Sequence, residues 1–234
     1  MFIVWQRPLE GIKVLNKGDF IKLEYTGYDD KGNIFDATSG NVSKKLHNRD
    51  GPLLIVFGYD LLVVGLQEAL ANMNKGDAKE LLLMPDKAFG QRSKELIRVL
   101  SENELLKNNI QPEIGLSLQL DTDQGPLFGV VRSIASGRVT VDFNHPLAGK
   151  NVKYSLKLID VITDKEAKIS ALMDDMQLKG KSKIAGEKLE VELEKPKADA
   201  PENKENNYEV KKQYFAELVK SIIPEIKDVN IKEV

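Results

Sequence analysis

The chain has 234 residues, 41% of them hydrophobic, enough to bury more than one core and to build two or three domains. Its 34 Lys and Arg nearly balance 36 Asp and Glu, so no net field would hold a polyanion, and nucleic acid is a poor partner. The absence of cysteine excludes a disulfide framework, thiol catalysis and Cys-ligated zinc or iron.

The start, MFIVWQRPLEGIK, lacks the basic lead of a secretory signal, and no apolar run approaches the ~18 to 20 residues that span a bilayer. A soluble, cytoplasmic protein is expected. Residues 12 to 35 read as two strands joined at Asp29-Asp30-Lys31-Gly32-Asn33, with Phe20, Leu23 and Tyr25 in the first and Ile34-Phe35 opening the second. Residues 37 to 52 (ATSGNVSKKLHNRDGP) are polar and rich in turn formers, which predicts a long surface loop. Leu53 to Phe57 is an apolar run, and Leu62, Leu66, Ala69, Leu70 and Met73 fall close to helical spacing. Residues 78 to 84 form a strand candidate that stops at Pro85.

Residues 91 to 142 look like a unit of their own, opening with a helix-like stretch over 94 to 107. Leu116, Leu118 and Leu120 then alternate with polar residues, Phe128 to Ile134 gives a second strand, and Val139, Val141 and Phe143 alternate in a third. Residues 152 to 162 resume a strand that the first part of the chain needs, so the unit between them reads as an insertion. Beyond Thr163 Lys and acidic residues dominate, Arg is missing, and the aromatics are Tyr208, Tyr214 and Phe215. There Leu189, Val191 and Leu193 alternate as a strand, residues 195 to 207 read as a flexible loop, and Val210, Tyr214, Leu218 and Ile222 keep helical spacing until Pro224. Val229 and Ile231 allow a closing strand.

Four stretches together resemble the FKBP prolyl isomerases of the SlyD-like and long archaeal type. They are Leu23-Glu24-Tyr25-Thr26-Gly27 with Phe35-Asp36; Gly58 to Gly76; Pro85-Asp86-Lys87-Ala88-Phe89-Gly90; and Asp142-Phe143-Asn144-His145-Pro146-Leu147-Ala148-Gly149. The resemblance covers residues 12 to about 162. It implies an α+β fold: a twisted antiparallel half-barrel around one short helix (1–90 and 143–162), an inserted, mainly β, insert-in-flap chaperone domain (91–142), and a small α/β C-terminal domain (163–234).

The resemblance also implies a peptidyl-prolyl cis/trans isomerase. Turning an X-Pro amide crosses a barrier of ~18 to 20 kcal/mol without breaking a bond, so no nucleophile, metal or cofactor is required. An apolar cavity that suits the twisted amide suffices. The matched positions give Tyr25, Phe35, Asp36 and Phe89 as catalytic residues, and Leu53, Leu62, Val63, Leu66 and Tyr154 as further walls, with the Val63 amide binding a substrate carbonyl. The insert is expected to bind unfolded polypeptide around Leu127 and Phe128. Leu66 replaces a tryptophan of the eukaryotic members, and Phe89 a tyrosine whose hydroxyl bonds ligand, so macrolides are expected to bind weakly.

Taken singly, each wall residue would be ordinary core, and Asp36 a strand-end carboxylate. His47, in the polar stretch, and His145, beside Pro146, have no companion ligands, so no metal site is expected. Asp121-Thr122-Asp123-Gln124-Gly125 lacks the closing Glu of a calcium loop and reads as a hairpin turn. Two functions stay open: an isomerase that folds captured chains, and a non-catalytic holdase using the FKBP unit as scaffold. A partner-docking role for the C-terminal region is a third. The broad apolar stripe over 210 to 223 suggests a homodimer through that region, against a monomer in which the local strands cover it.

Overall fold

The computed structural model of the chain describes residues 15–59, 62–123, 125–195 and 202–234. The elements begin with β1 (Phe20–Tyr28), β2 (Ile34–Ala37), α1 (Gly40–His47), β3 (Leu53–Val56), α2 (Val64–Leu70) and β4 (Ala78–Leu83). Next come β5 (Ile97–Ser101), α3 (Glu102–Lys107), β6 (Ser117–Thr122), β7 (Gly125–Ala135), β8 (Arg138–Asp142) and β9 (Val152–Ile162). The chain finishes with α4 (Lys165–Asp175), β10 (Gly180–Ala185), β11 (Lys188–Leu193), α5 (Glu202–Ile222) and β12 (Asp228–Glu233).

These elements form two compact units, one of residues 1–27, 34–81 and 154–234, the other of 28–33 and 82–153. The first is built on a sheet in the order β2-β1-β9-β4, with β3 joined antiparallel to β1 so that Phe20 faces Val56 and Leu23 faces Leu53. The fold class is the α+β, half-barrel class expected. β1 carries Ile21, Leu23, Tyr25 and Gly27 on one face, as the two-residue period of a strand requires. Leu66, Ala69 and Leu70 bury the apolar face of α2.

In the same unit, a second sheet runs β10-β11-β12, antiparallel and then parallel, and the alternation of Leu189, Val191 and Leu193 turns those three inward. Phe215, Val219 and Ile222 of α5, and Ile223 just after it, close over them together with Ile169, Leu172 and Met173 of α4. Phe20 and Val56 belong to this same buried cluster. Lys168 ties it further, donating to the Gly18 carbonyl at 2.7 Å. Each large side chain so buried contributes roughly 1.5 to 3 kcal/mol of transfer free energy.

The second unit is a four-stranded antiparallel sheet in the order β5-β8-β7-β6. Its core is Leu105, Leu118, Val131, Val139, Val141 and Phe143. Gly129 makes that core possible, because a β-carbon there would stand 2.5 Å from the Phe143 ring.

The structure corrects the sequence at four places. Residues 37 to 52 are not a loop throughout, for α1 lies inside them. Asp50 accepts the Gly40 amide at 2.8 Å, Asn48 closes the helix at φ 51°, and Lys44, Lys45 and His47 sit in its last turn, where cations suit the dipole. Of its residues only Ser43 is buried, so no apolar stripe announced it. Residues 94 to 107 are not one helix. Ile97–Ser101 is a strand, paired with β8, and only Glu102–Lys107 is α-helical. α4 was not foreseen, although Asp164 caps it by accepting the Ala167 amide at 2.9 Å. α5 begins at Glu202, inside the expected 195–207 loop; residues 196–201 of that loop, and 12–14 of the first strand, lie outside the described residues. Among the described residues no helix is long and apolar enough to cross a membrane.

Candidate active site

Tyr25, Phe35, Asp36 and Tyr154 meet on the face of the first unit's main sheet. The rings of Phe35 and Tyr154 lie edge to face at 5.7 Å and 89°, and those of Tyr25 and Tyr154 at 6.1 Å and 62°. Such pairs add ~0.5 to 1.5 kcal/mol beyond burial and fix the ring planes. Gly27 supplies the space, because a β-carbon at that position would stand 2.7 Å from the Phe35 ring and 3.0 Å from that of Tyr154.

Asp36 holds the polar edge of this aromatic group. Its Oδ2 accepts the Tyr25 hydroxyl at 2.8 Å, and its Oδ1 lies 2.7 Å from His47 Nε2 on α1. Tyr25 is also fixed through its backbone, since its amide donates to Thr38 Oγ1 at 3.0 Å and its carbonyl accepts the Thr38 amide at 3.0 Å. Burial, with the Asp36 hydrogen bond and charge behind it, pushes the Tyr25 phenol well above its ordinary range. Burial, and then the Asp36 charge, pushes the Tyr154 phenol to about 12. Both rings therefore stay neutral at physiological pH.

The other expected walls of this unit fall on adjoining elements. Leu53 opens β3 opposite Leu23, and Leu62 and Val63 lead into α2, whose Leu66 is buried. The turn into α2 is held by its own bonds. The Val63 carbonyl accepts the amides of Leu66 and Gln67 at 2.9 and 3.2 Å, and the Leu62 carbonyl accepts Gln67 Nε2 at 2.8 Å. Val63 is thus the N-cap residue, with ψ 144°, and its own amide belongs to the helix start.

Phe89, Leu127 and Phe128 belong to the second unit. Phe89 follows a 3₁₀ turn over Pro85–Lys87 and stacks flat on His145, with centroids 4.3 Å apart and planes at 3°. The His145 Nδ1 accepts the Leu147 amide at 3.2 Å, and burial lowers the pKa of this ring, so it stacks as the neutral imidazole. Leu127 packs partly onto the β core, whereas Phe128 is 64% exposed on β7. Val99 and Ile114 are also exposed in this unit.

Sequence reasoning missed Gly27 and His47 as parts of the site. Gly27 stood inside the Leu-Glu-Tyr-Thr-Gly stretch, the one signal that could have marked it. His47 had none, because the helix that presents it was not visible.

Comparison with known proteins bears on the family. A model of FKBP-type peptidyl-prolyl cis-trans isomerases matches residues 12–111, and one of the FKBP26 IF domain matches residues 98–147. The FKBP-type 16 kDa peptidyl-prolyl cis-trans isomerase of Escherichia coli is 35% identical over 123 residues, 52% of this chain and 82% of the relative. A short-type peptidyl-prolyl cis-trans isomerase of Methanocaldococcus jannaschii is 28% identical over 155 residues, 64% of this chain and 96% of that one. The isomerase SlyD of Pasteurella multocida is 30% identical over 121 residues, 52% of this chain and 59% of that one. A relative 35% identical and matched over 82% of its length places this chain in the family of FKBP-type peptidyl-prolyl cis-trans isomerases.

Proposed function

We propose that this chain turns X-Pro bonds over the aromatic group of Tyr25, Phe35 and Tyr154, with Leu53, Leu62, Val63 and Leu66 completing an apolar wall. The observation that carries the reading is the edge-to-face packing of three rings, rimmed by a single carboxylate that the Tyr25 hydroxyl holds. A twisted amide has lost the charge that resonance puts on its oxygen, so it gains relative to the planar form where few polar groups surround it. Asp36 keeps Tyr25 oriented, and the Val63 amide offers a donor to a substrate carbonyl.

The second unit is proposed to hold unfolded polypeptide through the surface around Leu127 and Phe128, raising substrate concentration for the isomerase. An apolar ring such as Phe128, standing 64% exposed on a strand, supports this reading. A protease-free isomerisation assay on a proline tetrapeptide, run beside catalysed refolding of a proline-limited protein, tests both roles. The expected result is turnover of both substrates, with refolding slowed and tetrapeptide turnover spared when residues 91–142 are replaced by a short loop. No tetrapeptide turnover by the intact chain supports the holdase reading. Equal loss in both assays makes the insert a support for the site.

The C-terminal region is proposed to pair two copies of the chain. On α5 Tyr208, Phe215, Val219 and Ile222 are buried, but Val210 and Tyr214, one turn apart, stand 64% and 57% exposed. Light scattering is expected to give a dimer that Val210→Lys with Tyr214→Lys dissociates. Monomer mass for the unaltered chain across a wide concentration range ends the idea.

A further inference from the structure

We infer that His47 is a positioning residue for the isomerase reaction, one that makes the site respond to pH through Asp36; the inference rests on the site proposed above. The Asp36 carboxylate is shared between two elements, one oxygen taking the Tyr25 hydroxyl of β1 at 2.8 Å and the other meeting His47 Nε2 of α1 at 2.7 Å. A carboxylate gripped at both oxygens has one rotamer, and so the phenol it holds has one direction.

The grip depends on the state of the imidazole. A neutral ring can donate from Nε2 only in one tautomer, whereas the imidazolium always donates there and adds its charge. Imidazole is the side chain whose charge changes between pH 5 and 8, and the chain has two histidines. Protonation of His47 therefore tightens the hold on Asp36 as pH falls, and loss of the proton loosens it.

Charged and titratable groups face this pair from its own helix and from the sheet. On its own helix stand Lys44 and Lys45, and Lys44 is engaged by Asp50 at 2.9 Å. After the helix, Arg49 donates to the Pro52 carbonyl at 3.1 Å and reaches Asp175 at 3.4 Å. From the sheet come Asp36 itself and the phenols of Tyr25 and Tyr154, both of which burial and the Asp36 charge keep protonated. Asp36 is thus the carboxylate in hydrogen-bond contact with His47, and its side chain is 28% exposed beside a ring that is 43% exposed. A pair with that exposure is worth ~0.2 to 1 kcal/mol, a roughly 1.4- to 5-fold effect on turnover where geometry limits the rate.

The test is the pH profile of tetrapeptide isomerisation, measured by exchange NMR from pH 5 to 8.5 on the intact chain; uncatalysed amide rotation involves no proton in this range. The expected result is a kcat/KM that falls by roughly 1.4- to 5-fold as pH rises. His47→Gln keeps a donor without a titrating group and is expected to flatten the profile. His47→Ala is expected to be flat and to run at or below the high-pH level of the unaltered chain, while circular dichroism stays unchanged. A profile that keeps its step in His47→Gln, or that loses it in His145→Gln with His47 in place, overturns the inference. Asp36→Ala separates the two levels of argument. If a folded Asp36→Ala turns over normally, the proposed site itself is wrong; if it is impaired while the step survives His47→Gln, only the role of His47 falls.

Discussion

Asp36 and Asp142 are both hydrogen-bonded carboxylates, one in each unit, and their surroundings are opposite. Asp142 is 1% exposed and saturated, with the Asn144 amide at 3.1 Å, the Asn144 side chain at 2.8 Å, the Arg92 guanidinium, and Arg132 at 3.4 Å. Asn144 carries the network onward, accepting the Ser93 amide at 2.8 Å and donating to the Ser93 carbonyl at 2.9 Å. This knot joins the residues where the β5–β8 sheet begins to those where it ends. Asp36 is 28% exposed, its Oδ2 accepting the Tyr25 hydroxyl and its Oδ1 meeting His47 Nε2 at the edge of an aromatic face. A carboxylate with every lone pair used is architecture, and one with capacity left over, next to an apolar surface, is available for chemistry.

The largest expected effect breaks the architectural member. Asp142→Ala leaves Arg92 and the Asn144 amide without their acceptor, and should destabilise the second unit by ~3 kcal/mol, at the low end for a broken buried pair because both arginines can turn to solvent. Chemical denaturation followed by methyl NMR at Val141 checks it. Asp36→Ala should do the reverse, lowering kcat/KM at least several-fold while costing under ~1 kcal/mol of stability, as an exposed pair does. Phe35→Ala should behave like Asp36→Ala in activity, with a larger stability cost. A folded Asp36→Ala with normal turnover would remove the contrast between the two carboxylates.

A pair of glycines sharpens the same contrast. Gly27 and Gly129 each leave room for rings, those of Phe35 and Tyr154 in one unit and that of Phe143 in the other. Overpacking either site typically costs ~1 to 3 kcal/mol. Gly129→Ala should spend that cost on the stability of the second unit, because Phe143 is 4% exposed and has nowhere to turn. Gly27→Ala should displace half-buried Phe35 and show mainly as reduced tetrapeptide turnover. Thermal melts and isomerisation assays on the two variants distinguish the outcomes, and a matching pattern in both would refute the division.

How legible these features were in the sequence followed from how local their causes are. The alternation of Leu189, Val191 and Leu193 and the helical spacing of Leu66, Ala69 and Leu70 are periodicities of the chain itself, so the elements and their inward faces could be read. The resemblance grouped Tyr25, Phe35, Asp36 and Tyr154, the first three of them in its matched stretches. The partners of Asp142 could not be read, since Arg92 lies 50 residues away and nothing in the spacing links them. Helix α1 was hidden because its stability comes from a cap given by Asp50 and a left-handed Asn48, not from an apolar stripe. With the helix went His47.

The smallest expected effect is a difference in how the two units fail at the extremes of pH. Burial would raise the Asp142 carboxyl, but hydrogen bonds from Asn144 and Arg92 outweigh it and hold the group below its ordinary 3.8. A carboxyl lowered in the folded state binds fewer protons there than in the unfolded chain. Its stabilisation is therefore complete above that ordinary value and is lost as pH falls through the lowered one. Tyr154 runs the other way. Its phenol, raised from 10.0 to about 12 by burial and the Asp36 charge, contributes stability that is complete below pH 10 and is lost as pH rises through about 12. Acid should thus remove from the second unit the stability that Asp142 contributes, and alkali should remove from the first unit what Tyr154 contributes. Urea titrations read at Val141 and at Leu23 by methyl NMR, at pH 3, 7 and 11, check both losses. Asp142→Asn should blunt the acid loss at Val141 and leave the alkaline loss at Leu23 untouched. If both reporters shift together at either extreme, the titrations of Asp142 and Tyr154 do not govern the units separately.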